Sequence, residues 1–213
     1  MSRDAQDVEK VFLDSEVLAE QLLSLIRLPL FDDSVRLRVS DLLCSLSLEH
    51  WCSTRRLLAD GLLPSALIVH RGQFEAIVRS VWAFYAATDN QLSRLSDSEL
   101  TAETEQAAKN LPQTQEMMEV LSKKAPTQAY EALEHFKVNS WKALNSYAHA
   151  GIHPLRRHES GYPIALVVSA LMNANGLAVL ACMQAVALSG AQSLQREVLN
   201  VAGSYPQCMP PPL

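Results

Sequence analysis

The stretch "PSALIVHRGQFEAIVRSVWAFYAATD", Pro64 to Asp89, decides the fold. Nothing in it alternates with period two, and on a helical wheel at about 100° per residue its apolar groups spread widely. Leu67, Phe74, Ile77, Val78, Val81, Phe84 and Tyr85 cover one broad face, and Ala66, Val69, Ala76 and Ala83 make much of the remainder small or apolar. A helix apolar on nearly every side belongs at the centre of a bundle. Its charges, Arg71, Glu75 and Arg79, recur at steps of four and so share one narrow stripe, with Trp82 beside them. Charges on a central helix must be paired or reach a cleft.

Working outward, the helical period dominates the chain. A first helix is expected from Asp4 to Arg27, stopped by Pro29. Asp32 and Asp33 are N-cap candidates for a second helix running to Asp60, with Gly61 as its stop. Pro64 sits in the tolerant first turn of the third helix, which reaches about Thr88. Ser96 to Glu99 has capping-box spacing and opens a Gln/Glu/Lys-rich stretch, punctuated by Pro112 and Pro126, expected as a mobile, solvated excursion. A helix or broken helix pair follows from about Thr127 to Ala150, then an apolar helix from Pro163 to Leu188. The expected architecture is all-α, a single bundle of about five to seven helices over residues 1–202. The Pro-rich tail, residues 203–213, is expected to be disordered.

Composition narrows the function classes. A net charge of −5 over 213 residues gives no global basic field for nucleic acid or an anionic membrane, though a local basic groove is compatible with it. Cys44, Cys52, Cys182 and Cys208 form no C-x-x-C pair and suit buried free thiols in a reducing cytosol. The N-terminal "MSRDAQDVEK" lacks the order of a signal peptide, so a cytoplasmic location is expected. From Gly161 to Gln195 no residue is charged, a length that could span a bilayer. Asn173, Asn175, Gly176 and Gln184 in its middle favour a buried helix and no membrane partner.

Chemistry gathers in "WKALNSYAHAGIHPL", Trp141 to Leu155. His149 and His153 have metal-ligand spacing, but Gly151 and Pro154 interrupt the helix and no third ligand is marked, so no metal is expected. Histidine as a residue type suits acid–base chemistry near neutral pH, so His149 could act as that group, with Tyr147 donating a hydrogen bond and Lys142, or Arg156 and Arg157, stabilising negative charge. Alternatively, His149 simply caps the helix C-terminus. Arg71, Glu75 and Arg79 read either as an exposed ladder or as the wall of a cleft for phosphate or carboxylate. His70 is expected to be a satisfied core histidine. No phosphate loop, G-x-G-x-x-G or G-x-S-x-G is present, and no cofactor is expected.

Taken together, "LIVHRGQFEAIVRSVWAFYAATD" and "WKALNSYAHAGIHPL" resemble poorly characterised bacterial all-helical proteins similar to the HEPN superfamily, over about Leu62 to Leu188. That family occurs in toxin–antitoxin, abortive-infection and anti-phage systems. The resemblance implies a helical bundle, a homodimer, and metal-independent ribonuclease activity in members carrying an arginine four to six residues before a histidine. Here the histidine would be His149, with Lys142 and Asn145 standing in the arginine's neighbourhood. A lysine lacks the guanidinium fork, so enzymatic activity stays open. The expected function is therefore a defence-type protein binding RNA or a nucleotide through Arg71, Glu75, Arg79, Asn145 and His153, with His149, Lys142 and Tyr147 in catalytic positions. The alternative is a non-enzymatic antitoxin, immunity or sensor protein acting on a protein partner encoded nearby.

Overall fold

The computed structural model describes residues 3–96, 99 and 101–211. Among them run ten α-helices and no strand: α1 (Arg3–Leu25), α2 (Val35–Ala59), α3 (Leu63–Tyr85), α4 (Asp89–Ser96), α5 (Ala102–Lys109), α6 (Thr114–Lys124), α7 (Thr127–Ala148), α8 (Ile152–Ser160), α9 (Ile164–Leu188) and α10 (Gln195–Gly203). Short 3₁₀ turns cover Gln192–Leu194 and Pro206–Cys208.

α3 is the central helix its composition demands, with 13 of its 23 residues buried. α2 packs antiparallel to it, since Ser40 Oγ donates to Ser80 O (2.9 Å) and Ser47 Oγ to Gln73 O (2.9 Å). α9 lies antiparallel to α2, because Cys44 meets Ala181 O while Trp51 Nε1 donates to Asn175 Oδ1 at 2.9 Å. On the other side of α3, α7 runs antiparallel: Phe74 packs on Phe136 and Arg71 on Trp141. The main core joins α2, α3, α6, α7 and α9, and a second cluster joins α1, Trp51, α9, α10 and Cys208.

The uncharged α9 is long and apolar enough to cross a membrane, yet its polar residues are paired inside the bundle. Asn175 bonds Ser15, Trp51 and the Cys208 carbonyl, and Gln184 Nε2 donates to Ser40 Oγ at 3.1 Å. Buried amides with partners on neighbouring helices suit a core helix.

Several expectations need correction. The helix count exceeds five to seven because the polar stretch is itself helical. Within it α6 docks on α3 through Met117, Met118 and Leu121, all at most 1% exposed, so this part is no solvated excursion. Its N-terminus is held by the Gln113–Glu116 capping box. The Ser96–Glu99 box lies partly outside the described residues. Ser34, not Asp32 or Asp33, caps α2, while Asp32 accepts from Ser34 N at 2.9 Å. The tail is ordered at least through Met209: Cys208 is fully buried, its thiol donating to Val11 O and its carbonyl held by Asn175. All four cysteines are free, and burial pushes the thiols of Cys182 and Cys208 up to about 12 and about 11.

Candidate functional site

Two helix ends in this chain close with the same backbone device. At the end of α2, Leu62 N donates to Leu57 O (2.8 Å) and Gly61 N to Leu58 O (3.1 Å). At the end of α7, Gly151 N donates to Ser146 O (2.7 Å) and Ala150 N to Tyr147 O (3.4 Å). Both are Schellman closures, whose C′ residue must be left-handed. Gly61 satisfies this with φ +73°, but at the second closure the position falls to Ala150 at φ +50°, the one non-glycine with positive φ among the described residues. An L-residue there is strained.

The strained turn creates a tight corner. Ser146 Oγ accepts from His153 N (3.1 Å) and so caps α8 from the preceding helix. Gly151 fits the corner closely, because a Cβ there would lie 2.6 Å from Ser146 Oγ and force it to shift. Tyr147 is buried beneath the corner and His153 stacks over it at 6.5 Å between ring centroids. Burial, then the neighbouring Tyr162, raises the Tyr147 phenol, while Arg157 opposes the rise. Tyr162 Oη is buried against Tyr147 without a well-formed hydrogen bond. His149 is the C-cap of α7, its N–H donating to Asn145 O, and its side chain is exposed. Lys142, seven residues earlier, shares its face of α7, about 10 Å along the axis, and is also exposed. Between Lys142 and Gly161 the only acid is Glu159, which pairs with Arg156 at 3.1 Å.

The stripe on α3 lies elsewhere. Arg71 Nη2 binds Glu75 at 3.0 Å and its guanidinium sits 5.1 Å from the Trp141 ring centroid. Its Nε is buried without a partner. The fork is thus turned onto an indole face, not toward His149. Arg79 makes no hydrogen bond or ion pair among the described residues, so Glu75 holds one guanidinium and not two. The contacts of Phe74 with Phe136 and Arg71 with Trp141 set Arg79 level with about residue 132 on α7. That is about 25 Å from His149 along the helix. Tyr147 and His153 come together at the helix end that His149 caps; Lys142 stands about two turns away, and Arg71 with Glu75 packs at the level of Trp141. Asn145 belongs beside Trp141, one turn along, and its Oδ1 is buried without a partner.

His70 is only half satisfied. Gln73 Nε2 donates to Ala174 O (2.9 Å), which turns Oε1 toward His70 Nδ1 (3.0 Å). The ring proton therefore sits on Nδ1, and the buried Nε2 has no partner. Burial lowers this imidazole from 6.5 to about 4, against the raising effect of Gln73.

A cavity of about 310 Å³ opens between α7 and α9, lined by His135, Phe136, Asn139, Ser140, Ser169, Asn173, Leu177 and Leu180 among others, with Pro210 and Pro211 on one side. Gly176 lets the tail close over it, since a Cβ would meet Pro210 Cγ at 2.8 Å. Of these residues, sequence reasoning noted only Asn173 and Gly176. The spacing Ser169, Asn173, Gly176 on an otherwise apolar helix was the available signal. Among the described residues no group of three or more His, Cys, Asp or Glu is placed to hold a metal ion.

Fold and corner together define an all-α bundle whose chemistry-bearing side chains cluster at one end of α7 and along the α7–α9 seam. The chain belongs to the family described as "Family of unknown function (DUF6988)", which it matches over residues 44–211. No curated protein and no solved structure matches it.

Proposed function

We propose that this protein binds RNA or a nucleotide through the α7–α8 corner, as a HEPN-like protein of the defence type. One observation carries the reading: on a chain of net charge −5, Lys142, Arg156 and Arg157 lie in the segment that holds the strained turn, with His149, His153 and His158 beside them and Glu159, paired with Arg156, as the one acid. Such a local cationic patch attracts phosphate whatever the global charge. Binding without cleavage is the favoured form. A 2′-OH would serve as internal nucleophile with His149 as acid–base group, but α3 supplies His149 with no guanidinium for the developing charge.

The test is fluorescence anisotropy with a labelled single-stranded RNA at about 50 and 200 mM salt, on wild type and the double variant Arg156→Ala/Arg157→Ala. Each lost phosphate contact should flatten the plot of log K against log salt by about 0.7. Absence of binding at the lower salt, or an unchanged slope in the variant, refutes the proposal. Cleavage that disappears in His149→Ala would show that the corner is also catalytic.

A second reading, an antitoxin, immunity or sensor protein, is supported by the exposed acidic groups Asp89, Glu99, Glu103 and Glu105 on and around α4 and α5, which suit a basic partner. RNA binding with no partner recovered in a pull-down would count against it.

A further inference from the structure

Buried polar side chains in this bundle are mostly paired, as Ser40, Ser47, Gln73, Asn175 and Gln184 show. Several helical serines, including Ser24, Ser93, Ser122 and Ser204, bond back to a carbonyl of their own helix. The α7–α9 cavity instead presents polar side chains that are exposed or half-buried. His135, Ser140, Ser169 and Asn173 line it, and among the described residues none of their side chains makes a hydrogen bond. Asn139 spends one amide N–H on His135 O (2.9 Å) and keeps its Oδ1 free. His135, Asn139 and Ser169 are exposed and Ser140 and Asn173 half-buried, so their polar groups face water and are open to a ligand that displaces it.

The lining restricts the occupant. It contains no Asp, Glu, Lys or Arg, so nothing there neutralises a charged ligand. Phe136, Leu177 and Leu180 supply an apolar floor, and Phe136 is held against Phe74 at 4.7 Å between centroids. A cavity of about 310 Å³ lies at the small end for organic ligands. The free carboxamide of Asn173 offers a donor beside an acceptor, the pair that reads a heterocycle edge bidentately.

We infer that this cavity binds a neutral planar heterocycle with adjacent donor and acceptor atoms, a nucleobase, held by Asn173 and the Ser169 hydroxyl over the Phe136–Leu177 floor. The base reaches it as a free nucleoside or as the end of an RNA strand. The site lies on a different part of α7 from the cationic corner and does not depend on that proposal.

The experiment uses the full chain and saturation-transfer NMR with adenosine, guanosine, cytidine and uridine, a tetraribonucleotide, and ribose 5-phosphate as the base-free control. Asn173→Leu removes the carboxamide and Ser169→Leu fills the cavity; both positions reach its wall without lying in the core, and circular dichroism checks the fold. Saturable nucleoside binding that weakens roughly ten-fold or more in both variants is the expected result, the loss of one neutral hydrogen bond corresponding to about that factor. Binding of the tetranucleotide alone, lost in the same variants, supports the site and identifies a strand end as the source. Arg156→Ala/Arg157→Ala leaves nucleoside binding unchanged, which separates this site from the corner. No binding by any base-bearing probe, equal binding in the variants, or ribose 5-phosphate binding as well as the nucleosides overturns the inference.

Discussion

Replacing Ala150 by glycine is expected to stabilise the protein, and the matched change Gly61→Ala to destabilise it. Both residues occupy the C′ position of a Schellman closure and both have positive φ, +50° and +73°. Left-handed backbone costs an L-residue about 1–2 kcal/mol, which glycine avoids. Against that gain, glycine adds about 0.4–1 kcal/mol of unfolded-state entropy. Ala150 is exposed, so its methyl contributes little burial to lose. The net gain for Ala150→Gly is therefore about 0.5–1 kcal/mol, or roughly 1–4 °C in Tm for a chain of this size. Gly61 has nothing within 4 Å of where a Cβ would stand, so Gly61→Ala isolates the backbone effect with the opposite sign. Urea unfolding monitored by circular dichroism reads both. If Ala150→Gly is neutral or destabilising while Gly61→Ala destabilises as calculated, the left-handed assignment of Ala150 is wrong.

Two further expectations concern the interior and the corner. His70 is neutral in the folded chain, with a folded value near 4 against 6.5 unfolded. Its contribution to stability is complete above about pH 6.5. It is lost as pH falls toward 4, at up to about 1.4 kcal/mol per pH unit, because the unfolded state takes up the proton first. His70→Gln should flatten that slope in urea midpoints between about pH 7.5 and pH 5, and a variant with the wild-type slope refutes the assignment. Gly151→Ala forces a Cβ against Ser146 Oγ and disturbs the cap of α8. A loss of about 1–2 kcal/mol is expected, and an unchanged urea midpoint would contradict the tight corner.

What the sequence disclosed depended on how loudly each feature broke the average. The all-round apolarity of α3 and the uncharged run of α9 announced interior helices, and Gly61 and Pro64 marked the turn between α2 and α3. α6 was hidden because three buried residues, Met117, Met118 and Leu121, sit among Gln115, Glu116, Glu119, Lys123 and Lys124. The tail read as frayed because its composition is that of a linker. What orders it is Asn175, far away in sequence, reaching the Cys208 carbonyl at 2.9 Å. Ala150 carried no signal at all, since alanine favours helix and only the closure around it requires a left-handed turn. The α3 stripe left a ladder and a cleft wall open, and the Arg71–Glu75 pair is the ladder's contact. Spacing of four places Arg71 and Arg79 on one face, but two turns of helix separate them, and Trp141 engages only the first.

Unpaired buried polar atoms bear on where function lies. Six occur among the described residues: Thr54 Oγ1, Arg55 Nη2, His70 Nε2, Arg71 Nε, Asn145 Oδ1 and Tyr162 Oη. Arg55 is nonetheless ion-paired, its Nη2 lying 2.6 Å from Glu16. Of the other five, four surround α7: His70 meets Phe136, Arg71 meets Trp141, Asn145 is part of the helix, and Tyr162 adjoins Tyr147. The strained Ala150 follows the same helix, and the cavity runs along it. A sequence under selection for stability alone would replace such groups, because each unsatisfied atom costs about 1–3 kcal/mol. Asn145 alone is on α7, while His70 and Arg71 reach it from α3 and Tyr162 from the segment before α9, a grouping that fits stability traded for binding. α7 is therefore the element whose substitution should most affect function relative to fold.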